Sequence, residues 1–194
     1  MRDNEKIVNY LDIPIQHCNG DVLRSMNRPG DRETLTKLVN DLRKEIPDIT
    51  LRTTVMVGFP TETEEAFTEL AEFISEMRFD RLGCFTYSPE EGTPAAEMEQ
   101  LDDEVKKKRM EIIMEQQGRI AEEIANSHEG EIVDVLVEGY DGYIKHCFGR
   151  SAMDAPDVDC KVFFTTKRKK KVGEFVRVKV LGSMDLDLMG KEIV

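Results

Sequence analysis

The hydropathy pattern of the chain changes period several times, and each change marks an element. Thr53 to Val57 is a β-branched, apolar run closed by Gly58 and Pro60, which predicts a strand over 50–57 buried on both faces. Phe67, Leu70, Ala71, Ile74 and Met77 then recur at helical intervals, and Thr61 followed by Glu64 has capping-box spacing. A helix is therefore expected from near residue 62. Upstream, Val8 to Gln16 reads as a strand whose pairing is limited near its end by Pro14. Asp21 to Gly30 reads as one short helix, and residues 31–45 as a second, with Leu35, Leu38, Val39, Leu42 and Ile46 on one stripe and Pro47 as its stop. Downstream, Phe79 to Tyr87 predicts a third strand. The order β-α-β-α-β implies parallel strands joined by right-handed crossovers. Three strands cannot close a barrel, so they form a small open sheet or part of a larger one.

From Asp102 to about Ser127 a long charged helix is expected, with Val105, Ile112, Ile113, Ile120 and Ile124 as its apolar stripe. Its lysines and glutamates form a solvated face, and the helix joins two domains. The pattern then turns to period two. Ile132 to Val137 is an apolar strand, Gly139 and Gly142 bracket a turn, and Val176, Val178 and Val180 alternate with polar residues. Short strands between Gly and Asp turns predict a small antiparallel β-barrel. The chain is thus α/β followed by all-β, with domains at 1–127 and 128–194.

The 194 residues carry a net charge of −12. The excess is uneven: residues 1–127 hold 16 Lys and Arg against 27 Asp and Glu, whereas 128–194 hold 11 against 12. Such a balance disfavours non-specific attraction to nucleic acid and suits a basic partner. The Lys167–Lys171 basic run is the exception: it is a hairpin tip kept soluble by charge or a phosphate contact, with no aromatic residue interleaved. No apolar run reaches the roughly 20 residues of a membrane span and the first residues are too polar for a signal peptide, so a cytoplasmic protein is expected. Four cysteines, Cys18, Cys84, Cys147 and Cys160, include no CxxC pair and read as free structural thiols.

Candidate chemistry gathers where strands end. Gln16 and His17 stand at the carboxyl end of the first strand, Gly58 at that of the second, and the turn-rich Ser88–Ala96 loop at that of the third, the edge at which α/β folds bind ligands. Glycine there lets a ligand approach the backbone, and the N–H groups opening the next helix suit polar ligand atoms.

Ordered matches across the chain carry a family resemblance: Tyr10 to His17, Leu51 to Thr54 with Val57 to Pro60, Phe79 to Arg81, Tyr87 to Ala96, and Gly149 to Ser151 with Asp154 to Asp159. The sequence resembles the carboxyl-terminal part of the radical S-adenosylmethionine methylthiotransferases, closest to the branch that modifies an aspartate β-carbon of ribosomal protein S twelve. The branch that modifies a tRNA adenosine shares much of the pattern, and a non-catalytic binding module is a further alternative. The resemblance implies three strands of a TIM-type radical S-adenosylmethionine barrel, followed by an OB-like TRAM barrel.

It also implies a basic ribosomal protein or the ribosome as partner, with tRNA as the alternative, and no membrane. S-adenosylmethionine would lie across the strand ends. Val57, Gly58 and Pro60 would meet it through the backbone, Gln16 and Arg52 would offer polar groups, and Tyr87 and Ser88 would close the other side. Thr61 stands where the family often has glycine. The family's two four-iron four-sulfur clusters, one held by CxxxCxxC, find no such triplet here. The chain therefore reads as a piece that begins before the fourth of six barrel strands and is inactive by itself.

Overall fold

The computed structural model describes residues 1–4 and 6–193. They form two compact units, residues 11–120, and residues 1–10 together with 121–194. Along the first run β1 (Tyr10–Gln16), α1 (Gly20–Ser25), α2 (Arg32–Glu45), β2 (Thr50–Val57), α3 (Glu64–Met77) and β3 (Arg81–Thr86). The sheet order is β1-β2-β3, and β2 and β3 are parallel, in register from Arg52 opposite Arg81 to Val57 opposite Thr86. The three-stranded α/β arrangement expected from the pattern is present.

On β2, Leu51, Thr53, Val55 and Val57 are fully buried, while Arg52, Thr54 and Met56 are half-buried. The run of β-branched residues had suggested two equally buried faces, but the strand alternates. Helix α3 covers the sheet with Phe67, Leu70, Phe73, Ile74 and Met77, and the Phe73 and Phe79 rings lie 6.1 Å apart. Its cap is Thr63, whose hydroxyl accepts from Ala66 N–H, and not Thr61; the Thr61–Glu64 spacing was misleading because Glu62 turns inward.

Helix α1 ends at Ser25, well before Pro29, and Asn19 caps it by accepting from Asp21 and Val22 N–H. Asp31 and Thr34 form a full capping box on α2. Within the predicted α2 stripe, Val39 is buried whereas Leu38 stays 41% exposed.

After a 3-10 turn at Pro94–Glu97 comes α4 (Asp103–Ser127). Its inward face follows the apolar stripe read from the sequence only in part, at Ile113 and Ile120. Lys106, Arg109, Ile113, Gln117 and Ile120 are buried, at steps of three and four residues, while Val105 and Ile112 are each 40% exposed. The long polar side chains have partners inside: Gln117 donates to the Phe79 carbonyl at 2.9 Å.

The remaining strands, β4 (Ile132–Asp141), β5 (His146–Arg150), β6 (Val162–Thr165), β7 (Phe175–Met184) and β8 (Asp187–Glu192), close a barrel of order β4-β5-β6-β8-β7. All pairs are antiparallel except β6 with β8, which is parallel. Val135, Val137, Val162, Phe164, Val176, Val178, Val180 and Leu188 fill it, as the alternation required. Gly139 lies inside β4 rather than at a turn. A register shift between Val137 and Gly139 puts its Cα face against the Phe148 ring, 2.5 Å from where a Cβ would stand.

Candidate ligand-binding site

The carboxyl ends of the three parallel strands open onto a cavity of about 620 Å³ lined by Gln16, Ser25, Met26, Asn27, Arg28, Met56, Phe59, Tyr87, Glu90, Thr93, Pro94 and Ala95. Each wall follows from local structure. Phe59 leaves the strand end after Gly58 and packs edge-on to Tyr87, with ring centroids 5.0 Å apart. The Tyr87 N–H donates to the Val57 carbonyl at 2.8 Å, which carries the β2–β3 pairing one step past the strand. Two non-glycine residues of the rim, Gln16 at φ +68° and Asn27 at φ +56°, hold left-handed backbone, a conformation that costs energy and gathers at functional sites. Arg28 is braced by donating to the Pro14 carbonyl at 2.7 Å.

The sequence-predicted residues divide between this cavity and its surroundings. Gln16 and Tyr87 line it. Val57 is fully buried beneath it, and two loop positions flank it, Pro60 half-buried and Ser88 exposed. Gly58, at φ +76°, has its N–H committed to the Glu62 Oε1 at 3.0 Å, and a Cβ there would stand 2.3 Å from the Lys106 Cγ. Arg52 lies at the opposite end of β2 and pairs with Asp12. Five residue steps along the strand separate it from Val57, roughly 16 Å. Sequence reasoning missed Phe59, Arg28 and Glu90 at the rim, and Glu62 with Arg109 behind it. A signal for Arg109 was available, since Lys106, Arg109, Ile113, Gln117 and Ile120 share one helical face.

The lining suits a nucleoside joined to an amino acid. Met56, Phe59, Tyr87, Pro94 and Ala95 offer flat apolar contact, while Arg28 and Glu90 bring opposite charges for a carboxylate and an ammonium. S-adenosylmethionine has this chemistry, and the residues present fit it.

An iron–sulfur cluster is not fitted by the residues present. Burial pushes the Cys18 thiol up to about 12, with Glu69 adding to it, and burial followed by Glu62 does the same to Cys84. Buried thiols so hard to ionise are poor ligands. Among the described residues no three His, Cys, Asp or Glu side chains are grouped to hold a metal.

Two of the hollows among the described residues lie on the barrel. One, of about 520 Å³, is lined by Tyr140, Cys147 and Thr166–Lys170. Lys170 is withdrawn into pairs with Glu192 and Glu174, leaving Lys167, Arg168 and Lys169 around Tyr140, a residue 62% exposed. The fold thus brings an aromatic residue to the basic run that lacked one in sequence. The other hollow borders the 151–159 loop, where carboxylates are used structurally: Asp154 accepts from the Ser151 N–H and hydroxyl, and Asp159 from the Ala155 N–H and the Tyr10 hydroxyl.

Residues 1–74 match the radical SAM superfamily and residues 130–193 match the TRAM domain. Ribosomal protein uS12 methylthiotransferase RimO of Clostridium botulinum (strain Eklund 17B / Type B) is 45% identical over 188 residues, covering 96% of this chain and 42% of its own. The protein of the same name from Caldicellulosiruptor saccharolyticus is 46% identical, covering 97% and 42%. The chain therefore spans less than half the length of these relatives. Among solved structures, coproporphyrinogen III oxidase (HemN) of Escherichia coli, a radical SAM enzyme, matches 60% of this chain and 27% of its own at 23% identity and a TM-score of 0.45, too loose a likeness to carry an argument. No helix among the described residues is long and apolar enough to cross a membrane. With a radical SAM part, a closed TRAM barrel and such relatives over nearly its whole length, the chain belongs to the radical S-adenosylmethionine methylthiotransferase family.

Proposed function

We propose that this chain supplies one side of the S-adenosylmethionine site and the TRAM barrel of a methylthiotransferase acting on an aspartate β-carbon of the basic ribosomal protein uS12. The observation that carries it is the cavity at the strand ends, built from the segments shared with the relatives named for uS12. In this reading Phe59 and Tyr87 hold the flat adenine, Arg28 and Glu90 orient the amino-acid end, and the backbone at Val57 to Pro60 shapes the floor. Bound S-adenosylmethionine supplies the transferable methyl and the sulfonium chemistry; the clusters belong to a longer polypeptide, and this chain alone does not turn over. A net charge of −12 favours encounter with a basic ribosomal protein.

One observation favours tRNA instead. Lys167, Arg168 and Lys169 frame an exposed Tyr140, the combination of cationic groups and stacking ring that suits single-stranded nucleic acid. Direct titration separates the two readings. Labelled uS12 and a labelled anticodon stem-loop are each titrated with the chain between 50 and 200 mM salt. We expect uS12 to bind more tightly at every salt concentration. A tighter stem-loop, with log K falling by about 0.7 to 0.9 per neutralised phosphate against log salt, transfers the assignment to tRNA. Calorimetry with S-adenosylmethionine tests the cavity: Tyr87→Ala and Arg28→Ala should each weaken binding by about ten-fold, or roughly 1.4 kcal/mol. Unchanged affinity in both rejects this placement of the ligand.

A further inference from the structure

Behind the Gly58 turn a carboxylate is buried among more polar atoms than its hydrogen bonds satisfy. The Glu62 side chain is wholly buried. Its Oε1 accepts from the Gly58 N–H at 3.0 Å and from the Arg109 guanidinium at 2.6 Å, and Arg109 also donates to the Glu62 carbonyl at 3.1 Å. The second oxygen, Oε2, faces His17 Nε2 at 3.4 Å, and both atoms lack a hydrogen-bond partner. His17 Nδ1 accepts from the Asn19 N–H at 2.9 Å, which leaves Nε2 as the nitrogen bearing hydrogen, directed at the carboxylate. Arg109 is held in turn by Glu64 at 2.9 Å and by the Phe67 ring, 5.2 Å from its guanidinium carbon. One carboxylate therefore ties together the exit of β1, the exit of β2 and the inner face of α4.

A helix-capping role does not account for this arrangement, because Thr63 caps α3. Nor does surface ion pairing, because Glu62 and Arg109 are only 3% and 7% exposed. What the network fixes is the direction of the Gly58 N–H, and so of the next residue, Phe59, which lines the cavity against Tyr87. We propose that Glu62 is a positioning residue for the ligand cavity: oriented by Arg109 and faced by His17, it holds the Gly58 N–H inward and so sets the Phe59 wall. The proposal rests on the reading that this cavity takes S-adenosylmethionine, but its structural core can be measured without that ligand.

The test uses the full chain and two charge-neutral pairs of substitutions, so that neither buries an unpaired ion. In Glu62→Met/Arg109→Met the Gly58 N–H loses its acceptor; in Glu62→Gln/Arg109→Met an amide oxygen replaces it. Amide exchange at Gly58 should be about ten-fold or more faster in the first pair, with a shift of the Tyr87 ring resonances, and close to wild type in the second. The dissociation constant for S-adenosylmethionine should rise about ten-fold or more in the first pair and recover in the second. Wild-type exchange at Gly58 in a folded Met/Met chain overturns the proposal, as does a loosened Gly58 with unchanged affinity. If the Met/Met chain does not fold, the wild type still decides. A through-hydrogen-bond coupling between the Gly58 amide nitrogen and the Glu62 side-chain carboxyl carbon supports the proposal, and its absence overturns it. If the wild type binds no S-adenosylmethionine, the ligand assignment falls, and Gly58 exchange with the Tyr87 shifts decides the positioning role alone.

Discussion

At the scale of single residues, Gly58 was conspicuous in the sequence, but the sequence did not show why it must be glycine. The pattern placed it at the end of a buried strand; only the fold shows two separate constraints. Its φ of +76° is strained for any side chain, and a Cβ would meet the Lys106 stem, at 2.3 Å from Cγ and 3.0 Å from Cβ. These atoms lie near the helix backbone and cannot swing aside. Gly58→Ala should lose about 1–3 kcal/mol to the backbone conformation and about 1–3 kcal/mol more to crowding. A double-mutant cycle with Lys106→Ala, read by urea unfolding, separates the two: the larger share of the crowding, owed to the Lys106 Cγ and Cδ, should be recovered and the conformational part should persist. A coupling below about 0.5 kcal/mol would show that Lys106 does not press on this site. Lys106 itself could not have been identified from composition, because a lysine on a charged helix ordinarily points to water.

At the scale of elements, the sequence was most informative where one period ran unbroken. The alternation of Val176, Val178 and Val180 located the inner face of β7, and the α3 periodicity located its buried stripe, because in each case burial alone selects apolar residues. It was least informative on α4, where Arg109 and Gln117 take inward positions and find buried acceptors, so that hydropathy and burial part company. The barrel shows a third kind of constraint, invisible to periodicity. Gly149 stands opposite Val137 on the neighbouring strand, and a Cβ there would lie 2.0 Å from the Leu136 carbonyl oxygen. Backbone, unlike a side chain, cannot yield without breaking the ladder. Gly149→Ala should therefore destabilise the barrel by about 3 kcal/mol or more. Native-state amide exchange is the measurement: protection at Val135, Val162 and Val178 should fall, while that at Val55 and Val57 on β2 is retained. Equal loss in both sets would mean that the two units do not unfold separately.

At the scale of the whole molecule, charge and buried thiols act in the same direction as the solution becomes alkaline. Burial raises both Cys18 and Cys84 from an ordinary 9.0 to about 12, so the folded chain keeps these protons while the unfolded chain releases them. Between about pH 9 and 12 the unfolded state therefore binds fewer protons, and stability must fall as pH rises. The contribution is fully present below pH 9. A fully separated thiol gives at most about 1.4 kcal/mol per pH unit, so the pair should cost roughly 2–3 kcal/mol per unit once pH exceeds about 9.5. The net charge of −12 grows more negative as lysines neutralise, and self-repulsion adds a further loss that does not depend on sulfur. Urea unfolding under reducing conditions at pH 8, 9, 10 and 10.5 distinguishes the two contributions. In Cys18→Ala/Cys84→Ala the thiol-dependent slope should vanish, leaving only the shallower fall from repulsion, whereas parallel pH profiles for wild type and variant would mean that neither thiol holds its proton more tightly when folded.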